Sequence, residues 1–490
     1  MSLFEPTEQE RVRVEKLKQL KKKGINPYPA RVPYEISIKE ILSGFERFSE
    51  AETELTTAGR ILSIRSHGKS TFMHIDDGTE KIQIYLRVDD IGEDKYRLIE
   101  LLDIGDFVSV KGTPFLTRTG ERTIRVHSYI LAGKSLHPLP EKWHGIKDIE
   151  TKARQRYLDI LANPESKLLF QRRSRIIQAI REFFDSRGFL EVETPILQPL
   201  YGGAFARPFT TYHNTLEMNL YLRIATELYL KRLLVGGFPK VYELGKNFRN
   251  EGIDHNHNPE FTALEVYQAF SDFEGMMELT EELIRFVAKE SIGKESIPFD
   301  KEDIDLAKPF RKLKLTELIK EKTGIDVPEA KREEIVTYCQ KNEIGFDEDA
   351  PYWKLVDEIF KHKIEPELIQ PTFVVEYPVE ISPLAKRIEN NPSFVERFEL
   401  FIAGKELANA FSELNNPIEQ AERFLEQQKA REAGDIETES FDEDFLLALE
   451  YGMPPAGGMG LGIDRLVTIL TGTNSIREVI LFPLSRKRQK

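Results

Sequence analysis

The chain has 490 residues, a net charge of −13 and a single cysteine, Cys339. With 40% hydrophobic and 31% charged residues it has the composition of a folded protein with room for several domains, not of a disordered or fibrous chain. One thiol excludes an intrachain disulfide framework and a multi-cysteine zinc site, and the negative charge argues against a protein that coats nucleic acid by bulk charge.

Residues 1–50 read as helical and then proline-punctuated. The opening has no apolar core of a signal peptide, and no stretch approaches the ~18 apolar residues of a membrane span. No signal peptide or membrane span is therefore expected, and a reducing cytoplasm is the expected home. The stretch 11–31, "RVRVEKLKQLKKKGINPYPAR", is dense in Arg and Lys, with Glu15 as its one acid. It reads either as a solvated amphipathic helix or as an arm that faces phosphates. Residues 51–135 change character. "LTTAGRILSIRSHGKSTFMHIDDGTEKIQIYLRV" and "GDFVSVKGTPFLTRTGERTIRVHSYILAG" alternate apolar and polar residues and turn at "DDGTE" and "RTGER". Short strands with Gly-bearing turns predict a small barrel of the OB type. A linker is expected over 136–165.

The second half opens with "SKLLFQRRSRIIQAIREFFDSRG", where Leu169, Ile176, Ile180 and Phe183 recur at helical spacing and Gly188 is a stop signal. "FLEVETPIL" reads as an edge strand, since it carries a proline. Two strand-like segments, "GGFPKVYELGK" and "TALEVYQAF", flank "NFRNEGIDHNHNPEF" at 247–261. Helix fills 274–292. Residues 295–370 are charged and mixed and read as an insertion. Strands return in "IQPTFVVEYPVEISPLA" and "RFELFIAGKELANAFSEL", and "GMGLGIDRLVTILTG" reads as a Gly-rich loop feeding a helix. The "GKS" triplets at 68–70 and 133–135 do not make a P-loop: Ser63 and Ser128 stand where its first glycine belongs.

Side chains two apart on a strand share a face. On that basis Arg249 and Glu251 share one face, as do Phe261, Glu265 and Tyr267. Thr262, Leu264, Val266 and Phe270 mostly supply the greasy side. Asn409, Phe411 and Glu413 repeat the arrangement, with Ala408 and Ala410 behind them. Two strands that each offer an aromatic and an acid suit a buried cation, so an amine ligand is expected. Arg249 and Arg465 are two guanidiniums able to hold phosphate oxygens.

"FLEVETPIL", "NFRNEG…HNPEF" and "GMGLGIDR" resemble motifs 1, 2 and 3 of class II aminoacyl-tRNA synthetases, falling at about 166–197, 240–270 and 453–472. "YLRIATELYLKRLLVGGF", "IQPTFVVEYPVEISPLAK" and "ELANAFSELNNP" resemble the lysyl-tRNA synthetases of the bacterial type, over nearly the whole chain. The resemblance implies an α+β fold: an antiparallel catalytic sheet flanked by helices over 166–490, beside the N-terminal anticodon-binding OB barrel. It implies a homodimer formed through motif 1, where Pro195 matches an interface proline. It implies L-lysine, ATP with Mg2+, and a tRNA as substrates, with no zinc. By position, Arg249 matches the arginine that holds the α-phosphate and the amino-acid carboxylate. Glu251, His257, Asn258 and Phe261 match ATP contacts, Arg465 covers adenine's other face, and Glu399 and Glu406 match magnesium ligands. Gly203, Glu227 and Glu265 match contacts to the α-amino group, and Asn409 a contact to the carboxylate. Tyr267, Phe411 and Glu413 match the side-chain pocket. In the barrel, Phe72, Gln83 and Glu121 match anticodon contacts. Glu406 has the wrong strand parity for its role and needs a bulge to re-aim it. Three other readings stay open: a tRNA-binding paralogue without activity, a relative that lysylates a protein, and an aspartyl or asparaginyl enzyme.

Overall fold

The alternation seen in residues 55–133 closes five strands into a barrel in the computed structural model, which describes residues 6–139, 148–299, 302–347, 350–432 and 441–485. Residues 140–147 of the expected linker lie outside these, as do the first five residues of the arm. The chain divides into two units, 1–146 and 147–490.

In the first unit the strands are β1 (Leu55–His67), β2 (Ser70–Asp76), β3 (Lys81–Arg87), β4 (Phe107–Leu116) and β5 (Arg122–Gly133), ordered β1-β2-β3-β5-β4. Met73, Ile75, Ile82, Ile84, Val108, Val110, Ile124 and Val126 point inward and are buried. The residues between them face out, as a period of two requires. Helix α1 (Glu8–Lys22) begins at a capping box, in which Thr7 and Glu10 satisfy each other's backbone N–H. It is pinned to the barrel rather than free. Leu20 is buried, and the buried Arg13 donates to the carbonyls of Ile104, Ser135 and His137 at 3.0, 3.3 and 3.1 Å. Lys18, Lys21, Lys22 and Lys23 remain exposed.

The second unit is built on a nine-stranded sheet. Its main strands are β6 (Leu190–Glu191), β7 (Lys240–Phe248), β8 (Glu260–Ala269), β9 (Arg311–Lys314), β10 (Thr372–Pro378), β11 (Asn391–Ile402), β12 (Lys405–Ser412) and β13 (Ala456–Gly462). They lie in the order β9-β10-β11-β12-β13-β8-β7-β6, and the short strand Arg387–Ile388 pairs with β11. Pairing through β10-β11-β12-β13-β8-β7 is antiparallel throughout. One face is greasy and is covered by helices α2 (Pro164–Asp185), α4 (Phe273–Ile292) and α8 (Ile463–Thr471). Ile176, Ile180 and Phe183 of α2 pack with Met276, Leu283 and Val287 of α4 and with Leu264, Val266, Phe398 and Ala410 of the sheet. The other face is left for chemistry. Helix α3 (Glu227–Val235) closes one end of it, with Leu230 and Leu234 anchored against Val241 and Phe445.

Three expectations are corrected. "FLEVETPIL" is not one strand: only Leu190–Glu191 and Leu197–Gln198 pair, and in different sheets. Between them, Thr194 gives its N–H and hydroxyl to Glu243 instead of to a strand partner, and Pro195 has no N–H to give. "GMGLG" is not a loop but strand β13 in the middle of the sheet, between β12 and β8. Phe270 is not on the greasy face; it directly follows β8, has φ +60° and is 81% exposed. Among its described residues the 295–370 region carries three α-helices, α5 (Leu315–Thr323), α6 (Arg332–Lys341) and α7 (Tyr352–Lys363). Their core, which includes Ile319, Ile335, Cys339 and Ile359, runs into Val374 and Phe401 of the sheet.

Candidate active site

The open face of the sheet holds a cavity of about 540 Å³. Strands β8, β12 and β13 supply its floor, so side chains of one parity reach it. From β8 come Phe261, Glu265 and Tyr267, and from β12 come Asn409 and Phe411. Arg249, Glu251, His257 and Asn258 also line it, but not through strand parity. Strand β7 stops at Phe248, and these four stand on the loop between β7 and β8. That loop is tied at its root, where Arg249 N–H donates to Pro259 O at 2.9 Å. Gly203, Glu227, Glu399, Glu406 and Arg465 line it too, whereas Glu413 is not among the lining residues and lies buried against Gly458.

One end of the cavity is rich in buried acids. Glu265 accepts from Thr226 N–H at 2.9 Å and from Asn247 at 3.3 Å. Glu227 accepts from Lys231 Nζ at 2.6 Å, and the same ammonium pairs with Glu413 Oε2. Glu413 is 1% exposed; Oε2 makes that ion pair, but neither carboxylate oxygen makes a hydrogen bond. Burial pushes Glu413 up to about 8 despite Lys231, and Glu227 and Glu265 add to the rise. Burial raises Glu265 as well, and Tyr267 far above the usual phenol range. Two glycines shape this end. A side chain on Gly458 would overlap Glu413 Oε1 and the Tyr267 ring. Gly203 has φ +83°, and a Cβ there would sit 3.0 Å from that of Glu227. This explains why so glycine-rich a segment forms a strand: the face it turns to the cavity must be bare.

The other end mixes arginines and acids. The Arg249 guanidinium lies 5.2 Å from the centre of the Phe261 ring, and its buried Nε has no partner. Arg465 is the third residue of α8. The preceding Asp464 fixes that turn by accepting from Thr262 N–H at 2.8 Å and pairing with Arg173 at 2.6 Å. Arg465 itself donates to Glu406, to the carbonyl at 2.6 Å and to the carboxylate at 3.3 Å. The parity problem of Glu406 is resolved by a bulge. Leu400 pairs with Ala408 but Phe401 pairs with Glu406, so Leu407 is the extra residue and Glu406 turns to the cavity. Glu399 accepts from Tyr377 Oη at 2.8 Å and Arg397 at 2.6 Å. Burial raises Glu399 to about 7, against Arg397 and with the help of Glu406. Burial also pulls Glu406 upward, but Arg465 and Arg249 outweigh it and hold this acid below the usual range.

His257 and Asn258 differ in exposure. His257 is exposed and its Nδ1 pairs with Asp254 at 2.8 Å, whereas Asn258 is 6% exposed, donates to Glu260 O at 2.6 Å, and has an unpartnered Oδ1. Pro195 is not at the cavity. It is exposed between β6 and Leu197–Gln198, with Leu190, Ile196, Leu197 and Leu200 also exposed nearby in sequence.

In the barrel unit, Phe72 is on the outer face, not in the core. Its ring stacks on Tyr85 at 4.5 Å, and Tyr85 lies 6.1 Å from Phe115. Beside them Gln83 donates to Glu121 at 2.8 Å and accepts from Thr123 at 2.8 Å, and His74 joins Glu121 at 2.9 Å. The register pairs Phe72 with Tyr85 and His74 with Gln83, so these groups sit together by construction.

Sequence reasoning missed Lys231, Arg397, Tyr377, Tyr85 and His74. Signals existed for most: Lys231 is four residues after Glu227 on one helix face, Arg397 is two before Glu399 on one strand, and His74 is two after Phe72.

Comparison with known proteins agrees with this geometry. Residues 148–486 match the family described as tRNA synthetases class II (D, K and N), and residues 55–132 match the OB-fold nucleic acid binding domain. The chain is 53% identical over 480 residues to the lysine–tRNA ligase of Carboxydothermus hydrogenoformans, which covers 98% of each. It is 54% identical over 482 residues to that of Pelotomaculum thermopropionicum, covering 98% of this chain and 95% of the relative. To that of Moorella thermoacetica it is 53% identical over 485 residues, again 98% of each. With an OB barrel, a mainly antiparallel catalytic sheet and likeness along nearly its whole length, the chain belongs to the lysine–tRNA ligase family of class II tRNA synthetases.

Proposed function

We propose that the protein joins L-lysine to its tRNA in two steps, with the sheet cavity as the site of both. In the first, a lysine carboxylate oxygen attacks the α-phosphorus of ATP. A new P–O bond gives lysyl-adenylate as the bond to pyrophosphate breaks. In the second, the lysyl group passes to a hydroxyl of the tRNA's 3′-terminal adenosine and AMP leaves. No Ser, Cys or His nucleophile is required, because lysine supplies its own. The chain's task is to align the reactants and offset charge on phosphate.

The observation that carries this reading is the acid-rich end. Glu227, Glu265 and Glu413 are all buried, and one buried ammonium, Lys231, pairs with Glu227 and Glu413 but not with Glu265. Full ionisation of three such acids beside one resident ammonium is costly in low dielectric unless further cations arrive. Lysine brings two. In this assignment its α-ammonium meets Gly203, Glu227 and Glu265, and its ε-ammonium meets the unpartnered Oε1 of Glu413, between Tyr267 and Phe411. Asn409 and Arg249 take the carboxylate. An aspartate or asparagine side chain brings no cation to Glu413, which disfavours those substrates.

At the other end, Arg249 holds the α-phosphate, and Phe261 and Arg465 sandwich adenine. Glu251, His257 and Asn258 contact the nucleotide. Glu399 and Glu406 suit Mg2+: both are hard carboxylates facing one cavity, and each raises the other's cost of ionisation, which a divalent cation relieves. When bound with ATP, Mg2+ would add charge neutralisation on the phosphate oxygens.

On the barrel, Phe72 stacks on an anticodon base, and Gln83, with Glu121 behind it, reads an adjacent one. The exposed lysines of α1 add phosphate contacts. Pro195 and the apolar side chains around it form a homodimer interface; an exposed apolar strip of this kind is otherwise unexplained. No helix among the described residues is long and apolar enough to cross a membrane, which fits work in the cytoplasm. The test is charging of tRNA transcripts with labelled lysine. We expect charging of the lysine tRNA and its loss when the anticodon is replaced. Charging that ignores the anticodon, or none at all, would contradict the reading.

A further inference from the structure

Lys231 has no role in the reading above beyond its charge, yet it is among the most completely buried large side chains described. It sits on α3, one turn after Glu227. Its ammonium reaches Glu227 at 2.6 Å and also Glu413. Phe411 and Phe445 flank it, with ring centres 5.3 and 6.0 Å away. A buried lysine between two acids is expensive to keep, and a leucine or methionine of similar volume is the usual solution in a core.

We propose that Lys231 is a positioning residue for amino-acid selection: its ammonium takes one oxygen of Glu413 and one of Glu227, fixing both carboxylates in place and favouring the ionised Glu413 that a further ammonium must meet. The inference rests on the proposed lysine site.

The geometry explains why a resident cation is needed. Glu413 faces Lys231 and Glu227 from α3, and Glu265 and Tyr267 from β8; Lys231 is the only cation among these groups. Without it, Glu413 would hold its proton to still higher pH, among buried carboxylates with no resident cation. A protonated Glu413 greets a methylene or a neutral side chain as readily as an ammonium. Lys231 also holds Oε2, so Oε1 is the oxygen left facing Gly458 and Tyr267. The resident ammonium thereby sets which oxygen a ligand meets.

The test is lysine-dependent ATP–pyrophosphate exchange by the full-length protein from pH 6.5 to 9, for the parent, Lys231→Met and Lys231→Arg. We expect the KM for lysine in Lys231→Met to rise at least tenfold at pH 7 and to approach the parent's at pH 9. Its pH midpoint should move up by at least one unit, with the KM for ATP unchanged. Lys231→Arg, which keeps the charge, should hold the midpoint. If Lys231→Met does not fold, Lys231→Gln carries the same expectation. A uniform loss of kcat or a midpoint that stays in place would overturn the proposal and leave Lys231 a packing residue. Absence of lysine-dependent exchange in the parent would instead overturn the lysine site on which it stands.

Discussion

At one end of the cavity Glu227 and Glu265 line the wall and Glu413 is buried beside Gly458, with a single ammonium, Lys231, paired to Glu227 and Glu413. At the other, Glu399 and Glu406 face Arg249, Arg397 and Arg465. The first end is closed and short of positive charge; the second is more open and nearly balanced. The difference follows from what each end receives. A lysine ammonium enters a closed pocket only where unpaired acid awaits it. A nucleotide carries its own negative charge, and the residues meeting it are arginines held ready by acids that can release them to phosphate. On the proposed function, selection belongs to the closed end and charge neutralisation to the open one.

That division can be broken by single changes. The largest effect is expected from Arg249→Ala, which should lower exchange by about 10²-fold or more, since charge stabilisation on the transferred group is lost. Steady-state exchange with unchanged thermal stability checks it. Next comes Glu413→Gln, which leaves an amide where an ammonium must be met. The KM for lysine should rise ~10–100-fold, as expected for losing a charged hydrogen bond, while that for ATP stays put. A parallel rise in both would erase the distinction between the ends.

A pH effect sharpens the same point. Glu413 is held up to about 8 by burial, and an ammonium binds the ionised form. Below pH 8 lysine must displace a proton, so its affinity should weaken as pH falls, by at most about tenfold per unit for one proton. Calorimetry in buffers of different ionisation enthalpy should show proton release on lysine binding near pH 7, and none at pH 9. The smallest effect is expected outside the cavity. Phe72→Ala should weaken tRNA binding by roughly 1–3 kcal/mol, the usual worth of a stacked base, and leave exchange unaltered.

The two ends also differed in how well the sequence disclosed them. The closed end lies mostly on strands, and alternation alone puts Phe261, Glu265 and Tyr267 on one face and Asn409, Phe411 and Glu413 on another. The barrel was readable for the same reason. Strand parity says nothing about Arg249 and Glu251, because β7 ends at Phe248 and a loop carries them. Glu406 reaches the cavity through a bulge at Leu407, which no local pattern announces. β13 was misread because glycine is rare in strands, and the reason for it here is steric room around Glu413 and Tyr267, which is visible only once the neighbouring strands are in place. Phe270 failed differently: alternation was extended one residue past the end of β8.

The claim at the centre of this account is that the closed end selects a second ammonium. ATP–pyrophosphate exchange with magnesium across all twenty amino acids tests it most directly. Exchange with lysine alone is the expected result. Exchange with aspartate or asparagine, or with a neutral amino acid as fast as with lysine, would contradict it.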